Sequence, residues 1–587
     1  MTEWVEKAAD EAAVTALVAA GFSRLLSKLL AQRGVTVESA PGYFRPSVEG
    51  LAKPDELPGI VRAADTILDA LAADPRGKIV VFGDYDCDGI CATAIVVTAL
   101  KALRANVAAF IPRRSDEGYG MTAASVKRLL VEQPDVRFVV TVDNGVGANV
   151  EIAELRERGI KVVVTDHHLP NATLPVAEAL VNPKVDAPDH LDSLCGSAVA
   201  FFLVNRLVSE AKARGLYSGP GIGEPLLVMA GLATITDIMP ITGQNRILVA
   251  ESLRRFLKPD LYRHDTSRRG APRGLKELYL RAAKAAKPAL TTRDYGFTIG
   301  PRINAVGRLE GEHGSAMDVF DLLVSNDREE CRALVGRIEE CNASRRGVEQ
   351  GMTDRAMERV DPEAAAQVIA FSSSEPGIHP GVAGIVASRV LEGLKTKVPV
   401  AVLVDGKGSA RAPAFYNVRA ALDEAAAYLG HYGGHAGAAG LAVTDGNLEV
   451  FTRVFREACA KQAAAIPAEE RAAVRLDAWV SACELTVDFA EKLGEMEPFG
   501  EGNPEPVFGL KEARLDEVRL LGREGKHLSV SVSDRTGALR GVWWGRGGEL
   551  EALRAKSGSP VRVRFALTLS NYGGVHVELR VLDLETI

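Results

Sequence analysis

Cysteine is scarce in this sequence and never closely paired. Only seven of the 587 residues are cysteine, and no two of them form a C-x-x-C pair. An odd, scattered set excludes a disulfide framework and argues against a structural zinc site. The sequence therefore predicts a protein of a reducing compartment, and we expect it in the cytoplasm.

Long apolar runs and a strong charge of one sign are also absent. No stretch approaches about 18 uninterrupted apolar residues, so no membrane-spanning segment is expected. The opening residues MTEWVEKAADEAAV are acidic and mixed rather than basic and then apolar, so no signal peptide is expected either. The net charge of −7 neither requires nor excludes a nucleic-acid partner.

The chain instead has the composition of an ordinary globular protein and the length of several domains. Hydrophobic residues make up 47% of it and charged residues 25%. At 587 residues it exceeds a single hydrophobic core, and about three or four domains are expected. Between residues 75 and 240, apolar runs alternate with helical patterns, which predicts a parallel sheet covered on both faces. The predicted strands are KIVVFG, NVAAFIP, VRFVVTVD, KVVVTD and ALVNP.

The patterns outside this region predict further domains. A long polar stretch is typical of one helix that links domains, and a second α/β unit with the glycine-rich loop HYGGHAGAAG follows it. Five short strand patterns near the C-terminus predict a small barrel of the OB-fold type. Its residues Trp543, Trp544 and Tyr572 are candidates for stacking bases, with core packing as the alternative for each. The predicted domains are a helical lead-in at 1–48, a catalytic α/β domain at 49–325, the linker helix at 326–362, the second α/β domain at 363–497 and the barrel at 498–587.

A basic cluster lies between residues 261 and 287. A solvated helix face and a surface that follows a phosphate backbone explain it about equally well. Its basic members, which stand against only Asp265 and Glu277, are Arg263, Arg268, Arg269, Arg273, Lys276, Arg281, Lys284 and Lys287.

Acidic residues alternate in the stretch VFGDYDCDGI, where Asp84, Asp86 and Asp88 precede Gly89. A calcium-binding EF-hand loop begins in the same way, but its twelfth position must be a glutamate and is Ile95 here. The apolar run before the acids predicts a buried strand, and the run after them predicts a helix. The acids therefore lie on a strand-to-helix turn, where α/β proteins bind ligands.

Further acids and histidines follow later segments of the same region. Asp143 ends VVTVD, Asp166, His167 and His168 follow VVVT, and Asp237 lies in LATITDIMP. Because the carboxyl ends of parallel strands share one edge, these side chains are expected to converge, with Asp237 supplied by a helical segment. Carboxylates with histidine and without thiolate suit Mn²⁺ or Mg²⁺, and this many acids suit two ions. Such a pair indicates hydrolysis of a phosphoester or a phosphoanhydride.

The four motifs DYDCDG, VDNG, TDHH and TDIMP, in this order and spacing, resemble those of the DHH phosphoesterase superfamily. Four more motifs make the chain, from about residue 45 onward, similar to the bacterial members that degrade single-stranded DNA from its 5′ end: GPRINAVGRL, HPGVAGIVASRV, GGHAGAAG and PFGEGNPEPVF. The resemblance implies a parallel-sheet DHH domain, joined by a long helix to a smaller α/β DHH-associated domain and followed by an all-β OB-fold.

The resemblance also implies the metal site and its roles. Asp86 and Asp88 would each bind one of two Mn²⁺ or Mg²⁺ ions, Asp143 would bridge both, and His168 and His435 would face the phosphate as catalytic residues with Asp143. Phe82 occupies the position at which other members have a metal-binding histidine. Asp84 is then a candidate for an extra metal ligand or for a residue that contacts the ligands. The full set of implied metal ligands is Asp84, Asp86, Asp88, Asp143, His167 and Asp237.

The resemblance also implies a set of DNA-binding residues. Ser409, Arg411 and Arg114 are implied to bind the 5′-terminal phosphate, and Arg302 and Arg308 to hold the strand. The complete implied set is Arg114, Arg302, Asn304, Arg308, His379, Ser409, Arg411, Gly434 and His435.

The implied activity is metal-dependent release of 5′ mononucleotides from single-stranded DNA, in recombination and repair. A RecQ-type helicase and a single-strand-binding protein are the implied partners, and a monomer is the expected state. Two alternatives remain at this point: a phosphodiesterase for short oligonucleotides or cyclic dinucleotides, and a DNA-binding relative without catalysis.

Overall fold

The computed structural model describes residues 3–118, 120–219, 223–257, 270–283, 289–309, 314–394, 396–467, 474–571 and 574–587. The chain forms two compact units: Met1–Leu51, Ile238–Glu251 and Ala472–Ile587 make up the first, and Ala52–Asp237 with Ser252–Arg471 the second. Within the described ranges no helix has the length and apolar character needed to cross a membrane. Several residues of the sequence predictions lie outside those ranges, namely Arg263, Arg268, Arg269, Lys284, Lys287 and Tyr572.

The chain begins with one short strand and three helices of the first unit: β1 (Trp4–Glu6), α1 (Glu11–Ala19), α2 (Arg24–Ala31) and α3 (Ala40–Phe44). The side chains of Asp10 and Ser23 accept hydrogen bonds from the first turns of α1 and α2, as N-cap residues do. The sequence does not predict β1, because three residues are too few to show an alternating pattern.

The second unit contains the parallel sheet that the sequence predicts. Its order is β3-β2-β4-β5-β6, and all its pairings are parallel. Its strands are β2 (Lys78–Phe82), β3 (Val107–Phe110), β4 (Val136–Val142), β5 (Lys161–Thr165) and β6 (Ala179–Val181). Because the chain moves from β2 to β3 on one side and returns to β4 on the other, the strand order reverses beside β2. Ligands of open α/β sheets bind at such a reversal, outside the carboxyl ends of the strands.

Seven helices of the described residues accompany this sheet: α4 (Ile60–Ala73), α5 (Cys87–Ala102), α6 (Arg114–Glu117), α7 (Ala123–Glu132), α8 (Asn149–Glu157), α9 (Gly196–Ala213) and α10 (Gly223–Thr236). Helix α5 follows the first acidic motif and is buried along most of its length. Its sequence is apolar on all sides because helices α9 and α10 pack against it as well as the sheet. The buried helix gives the acidic turn before it a fixed support.

A helical region follows the sheet. Its elements are α11 (Gly243–Phe256), α12 (Arg273–Ala282), a π-helical segment (Asp294–Ile299), α13 (Gly300–Arg308), α14 (Ala316–Val324) and α15 (Arg328–Glu358). Helix α15 is the predicted long helix and has 31 residues. It is not polar on every side, since Leu334, Val335 and Ile338 are buried. Its apolar stripe packs against the neighbouring helices α12, α13 and α14.

The second α/β module has a five-stranded mixed sheet in the order β10-β11-β9-β8-β7. Its strands are β7 (Gln367–Phe371), β8 (Val400–Val404), β9 (Lys407–Arg411), β10 (Leu429–Gly434) and β11 (Ala438–Val443), and its helices are α16 (Ala383–Gly393), α17 (Val418–Glu424) and α18 (Leu448–Ala465). The glycine-rich stretch HYGGHAGAAG, predicted as a loop, forms most of the antiparallel pair β10–β11. His435 lies at the turn between those two strands.

The C-terminal part of the first unit is a closed barrel. Strand β12 (Val474–Leu476) pairs with β1 in a separate two-stranded sheet. The elements of the barrel region are β13 (Ala478–Trp479), α19 (Val487–Gly494), β14 (Phe508–Leu521), β15 (His527–Ser533), β16 (Ala538–Trp543), α20 (Leu550–Arg554), β17 (Pro560–Ser570) and β18 (His576–Thr586). Strand β14 pairs with both β15 and β17, which closes the barrel. All five predicted strands are present. Trp543 is buried in the barrel, whereas Trp544 is 57% exposed, so core packing accounts for Trp543 and not for Trp544.

Candidate metal centre

The first acidic motif and Asp143 meet where the strand order of the parallel sheet reverses. Strand β2 leads into the turn with Asp84, Asp86 and Asp88, and the neighbouring strand β4 ends directly before Asp143. Strand β5, next to β4, leads into His167. The predicted convergence of these side chains at one edge of the sheet is therefore present in the structure.

Backbone amides fix the orientation of two carboxylates in the motif. Asp86 is the N-cap of α5, and its Oδ1 accepts hydrogen bonds from the amides of Asp88 and Gly89, both at 3.0 Å. The two oxygens of Asp88 accept hydrogen bonds from the amides of Gly196 and Ser197 at the start of α9, both at 2.7 Å. Amide donors that point at a carboxylate oxygen fix the orientation of the carboxylate. Each acid therefore presents its remaining lone pairs in one direction.

His167 stands among three of the acids. Its Nε2 is 3.1 Å from Asp143 Oδ1, 3.7 Å from Asp88 Oδ2 and 3.6 Å from Asp237 Oδ2. Asp143 has a φ of 61°, a left-handed conformation that Asp and Asn adopt more readily than other residues with a side chain. A Cβ on Gly196 would lie 2.6 Å from Asp143 Oδ1, so only glycine fits beside this carboxylate.

The donor atoms suit divalent cations. Three groups of ligand atoms each lie within 4.8 Å of one another: Asp84, Asp86 and Asp143; Asp88, His167 and Asp237; and Asp143, His167 and His168. Both carboxylate oxygens of Asp84 are buried and have no hydrogen-bond partner among the described residues. A buried carboxylate without a donor is costly, and a cation removes that cost. Oxygen ligands with one imidazole fit Mn²⁺ or Mg²⁺.

Without a cation, the acids suppress one another's ionisation. Burial, and then the neighbouring carboxylates, raise the pKa values of Asp84, Asp86 and Asp143 above their usual range. The same causes raise the pKa of Asp237 to about 9. Burial lowers the pKa of His167, which favours the neutral imidazole that ligates metals.

His168 has a different environment from its neighbour. Its Nδ1 is 2.8 Å from Asp166 Oδ1, and Asp166 also accepts hydrogen bonds from the amides of Val146, His167 and His168. Burial opposes the charged imidazolium, but the hydrogen bond and the charge of Asp166 outweigh burial and raise the pKa of His168 to about 9. His168 is therefore a cation near neutral pH, held in place by Asp166.

Stability without metal is expected to fall as pH rises. Asp237 and His168 bind protons more tightly in the folded protein, with pKa values raised to about 9 from 3.8 and 6.5. Their contribution to stability is complete below those ordinary values and is lost as pH rises through about 9. In EDTA, the thermal unfolding midpoint should therefore decrease between pH 6 and 9, and Mn²⁺ should raise it more at pH 8.5 than at pH 6.

The control for this pH dependence is Asp237→Asn, which removes one of the two groups and should flatten the decrease in EDTA. A midpoint in EDTA that stays constant or rises between pH 6 and 9 would contradict the assignment of raised pKa values.

Four arginines gather beside the acids. Burial, and then the like charges of Arg114, Arg345 and Arg411, lower the pKa of Arg308 to about 10, while Asp86 acts in the opposite direction. Arg308 also donates to the carbonyl oxygen of Gly381, at 3.4 Å. Concentrated positive charge next to the acid cluster is an arrangement that binds phosphate.

Ser409 and Arg411 lie together on β9, next to the start of α16. A Cβ on Gly384 would lie 2.9 Å from Arg411 Nη2 and 3.2 Å from Ser409 Oγ. Glycine at position 384 therefore leaves both polar groups open on this side. Arg114 lies over the ring of Tyr85 within the first acidic motif, with its Cζ 5.4 Å from the ring centroid.

Other residues of the implied DNA-binding set have structural contacts. Arg302 donates to Glu339 Oε1 at 2.7 Å and to the carbonyl of Thr298, so its charge already has a partner. Two more act as caps: Asn304 Oδ1 accepts from the amide of Cys87 at 2.8 Å, and His379 Nδ1 accepts from the amide of Gly381 at 3.1 Å.

Gly434 and His435 lie at the end of the β10–β11 hairpin. Gly434 has a φ of 135°, which favours glycine, and the His435 side chain is exposed. No hydrogen bond or ion pair in the described part of the chain joins His435 to the carboxylates of the metal centre. A catalytic role for His435 stays a prediction.

Some residues that shape the site are not predicted from the sequence. Asp166 is part of the DHH motif, but its role in holding His168 is evident only from its hydrogen bonds in the structure. Ser197 donates its amide to Asp88 Oδ1 and its hydroxyl to the Asp88 carbonyl, and no spacing rule connects residues this distant. Arg345 lies on a helix predicted to be a linker, where nothing in the sequence points to the arginine cluster.

Comparison with protein families gives matches in three regions of the chain. The DHH family N-terminal domain matches residues 78–223, the DHHA1 domain matches residues 344–461 and the RecJ OB domain matches residues 476–583. These three regions contain the parallel sheet, the mixed sheet and the barrel, respectively.

Curated relatives share most of the chain. The single-stranded-DNA-specific exonuclease RecJ of Dickeya dadantii is 34% identical over 526 residues, which are 86% of either chain. The Escherichia coli protein of the same name is 33% identical over 550 residues, 91% of this chain and 90% of that one. Among solved structures, RecJ from Thermus thermophilus in complex with Mn²⁺ matches with a TM-score of 0.79 and 30% identity, covering 100% of this chain and 80% of that one.

Proposed function

The chain belongs to the RecJ family of single-stranded-DNA-specific exonucleases, and from this premise we propose that it degrades single-stranded DNA from the 5′ end to 5′ mononucleotides. The observation that carries the proposal is the cluster of Asp86, Asp88, Asp143, His167 and Asp237 at the switch point of the parallel sheet. Neither alternative is favoured. A complete ligand set argues against a relative without catalysis, and the barrel argues for a polymeric substrate rather than a short one.

The enzyme uses Mn²⁺ or Mg²⁺, as two ions. The first group of ligand atoms, with Asp84 and Asp86, and the second, with Asp88, His167 and Asp237, are the two proposed sites, and Asp143 lies beside both. When bound, the two ions activate a water and stabilise the negative charge of the leaving oxygen.

The chain's own side chains position the scissile phosphate. Burial opposes the charged form of His168, but Asp166 outweighs burial and raises the pKa, to about 9 in the protein without metal. The positive charge of the ring then attracts a phosphate oxygen and offsets negative charge that develops during the reaction. Asp166 keeps the ring in this orientation through its hydrogen bond to Nδ1.

The arginine cluster gives the reaction its polarity. Arg411 and Ser409, with Arg114 and Arg308 nearby, bind the terminal 5′ phosphate, so that the first phosphodiester lies at the metal centre. The substrate is then a strand end and not an internal site, and the products are mononucleotides. We also propose the five domains as divided above, with Trp544 of the barrel stacking a base of the strand. We place the enzyme in the cytoplasm as a monomer that acts with a helicase and a single-strand-binding protein.

The test is hydrolysis of a long single strand that carries a label at either end. With Mn²⁺ and a 5′ label, the first labelled product should be a mononucleotide, and with a 3′ label the strand should shorten progressively. EDTA should abolish both reactions, and a blunt duplex of the same sequence should resist.

Two results would contradict the proposal. Cleavage restricted to substrates of about two to five nucleotides would favour the oligonucleotide phosphodiesterase. A strand that is bound with Mn²⁺ but never shortened would favour the relative without catalysis.

A further inference from the structure

Phenylalanine and tryptophan side chains are almost all covered in the described residues. All 18 phenylalanines and four tryptophans lie within the described residues, and only Phe297 and Trp544 among them are exposed. Phe297, with 75% of its surface exposed, is the more accessible of the two. Because burial of a phenylalanine is favourable, an exposed one on a rigid element is a candidate for contact with a ligand.

Phe297 lies on a well-anchored segment. It belongs to the π-helical segment Asp294–Ile299, and such segments are frequent at functional sites. On the opposite side of that segment, Tyr295 is fully buried and its hydroxyl accepts a hydrogen bond from Ser252 Oγ at 3.0 Å. Asp294 fixes the first turn by accepting from the amide and hydroxyl of Thr291. The exposed ring is therefore held by a rigid support.

The segment packs directly against the residues that lead to the metal centre. A Cβ on Gly300 would lie 2.5 Å from Thr236 Cγ2, and a Cβ on Gly296 would lie 3.6 Å from Ile235 Cγ2. These glycines allow the segment to approach the last turn of α10, which ends one residue before Asp237. The segment that carries Phe297 is thus packed against the helix turn that directly precedes Asp237, a proposed metal ligand.

A cation accompanies the exposed ring. The Arg293 guanidinium carbon lies 5.6 Å from the Phe297 ring centroid, and Arg293 is itself exposed. An aromatic face with a neighbouring guanidinium is the combination that binds single strands without reading their sequence, since every base has a π face and every nucleotide a phosphate. An exposed aliphatic side chain such as Val131, 73% exposed on α7, offers neither feature.

We propose that Phe297, with Arg293, forms a stacking subsite for one nucleobase of the single strand next to the metal centre. This inference rests on the proposed function, because it assigns the ring a position along that substrate. The stacked base holds the strand while the terminal nucleotide is removed, so Phe297 acts on substrate binding and not on the chemical step.

The test compares Phe297→Ala, Phe297→Trp and the control Val131→Ala on a 5′-phosphorylated strand. Phe297→Ala should raise KM about tenfold, the loss expected for one stacked base, with little change in kcat. Phe297→Trp should restore the lower KM, and Val131→Ala should not change it. An unchanged KM in Phe297→Ala would overturn the proposal.

Substrates with one abasic nucleotide locate the stacked base. Moved stepwise from the 5′ end, the abasic site should raise KM at one position in the unmutated protein, and that position should have no further effect in Phe297→Ala. If the effects of the abasic nucleotide and of Phe297→Ala on KM are additive at every position, the ring does not stack a base.

A binding readout separates this proposal from the proposed function. In EDTA, 2-aminopurine placed at the same position should be quenched on binding to the unmutated protein and less so on binding to Phe297→Ala. Equal quenching would overturn the stacking subsite even if hydrolysis is as proposed. A difference in quenching would support it even if the strand is never cut.

Discussion

Asp143→Asn should reduce the rate of strand hydrolysis by about 10³-fold or more while leaving the fold intact. Asp143 belongs to the same ligand group as Asp84 and Asp86, and its Oδ1 lies 3.1 Å from Nε2 of His167, which belongs to the other group. An amide cannot supply the negative charge that two divalent ions share. Stabilisation by such ions amounts to several kcal/mol, and each 1.36 kcal/mol is a factor of ten in rate.

Asparagine is the sharpest replacement because the backbone at this position is left-handed, with a φ of 61°. Asparagine adopts that conformation as readily as aspartate, whereas alanine would add strain. The matched control is Asp186→Asn, since Asp186 is also left-handed, with a φ of 55°, but exposed. Asp186→Asn should keep full activity with Mn²⁺.

The measurement is single-turnover release of mononucleotide, together with thermal unfolding in EDTA. Because burial and the other acids raise the pKa of Asp143, a neutral amide should leave the metal-free protein at least as stable as before. Mn²⁺ should then stabilise the variant less than it stabilises the unmutated protein. Hydrolysis within tenfold of the unmutated rate would show that Asp143 is not a required ligand.

The sequence predicts those parts of the site that depend on strand ends. Asp86, Asp143 and His167 each follow an apolar run long enough to identify as a buried strand, and a parallel sheet brings such ends to one edge. The convergence of these side chains could be expected without knowing the strand order. It was needed to locate the site, because the reversal beside β2 is a property of the topology and not of any one motif.

The parts that depend on packing between distant segments were not predictable. Asp88 is held by the amides of Gly196 and Ser197, and the motif alone cannot identify those donors. Asn304, which the resemblance assigns to DNA binding, also accepts a hydrogen bond from the amide of Cys87, and no motif predicts that contact. Such capping contacts satisfy local backbone groups and carry no periodic signal.

The structure of the glycine-rich stretch was also not predictable from the sequence. HYGGHAGAAG has the composition of a loop, yet it forms most of strands β10 and β11. Tertiary pairing with β9 overrides the weak strand preference of glycine there. Only a short turn connects β10 and β11, and it contains His435. His435 therefore lies in a loop, as predicted, although most of the stretch around it forms strands.

Arg411→Ala should lower kcat/KM for a 5′-phosphorylated strand by about 10²-fold and remove the preference for that end. Hydrogen bonds from a guanidinium to a phosphate are charge-assisted, and two of them account for a loss of this size. The arginine is fixed for this role by its position on β9, with Nη1 donating to the carbonyl of Ala410 and Nη2 facing Gly384.

The informative quantity is the ratio of kcat/KM for strands that end in 5′ phosphate and in 5′ hydroxyl. In Arg411→Ala the ratio should fall towards one, because only the phosphorylated end loses a partner. The matched control is Arg419→Ala on α17, a half-buried arginine of the same module whose charge is paired with Asp423 at 3.0 Å, and it should leave the ratio unchanged. An equal loss on both strands would mean that Arg411 holds the body of the strand. Polarity would then have to come from Arg114 and Arg308, which lie closer to the acidic motif.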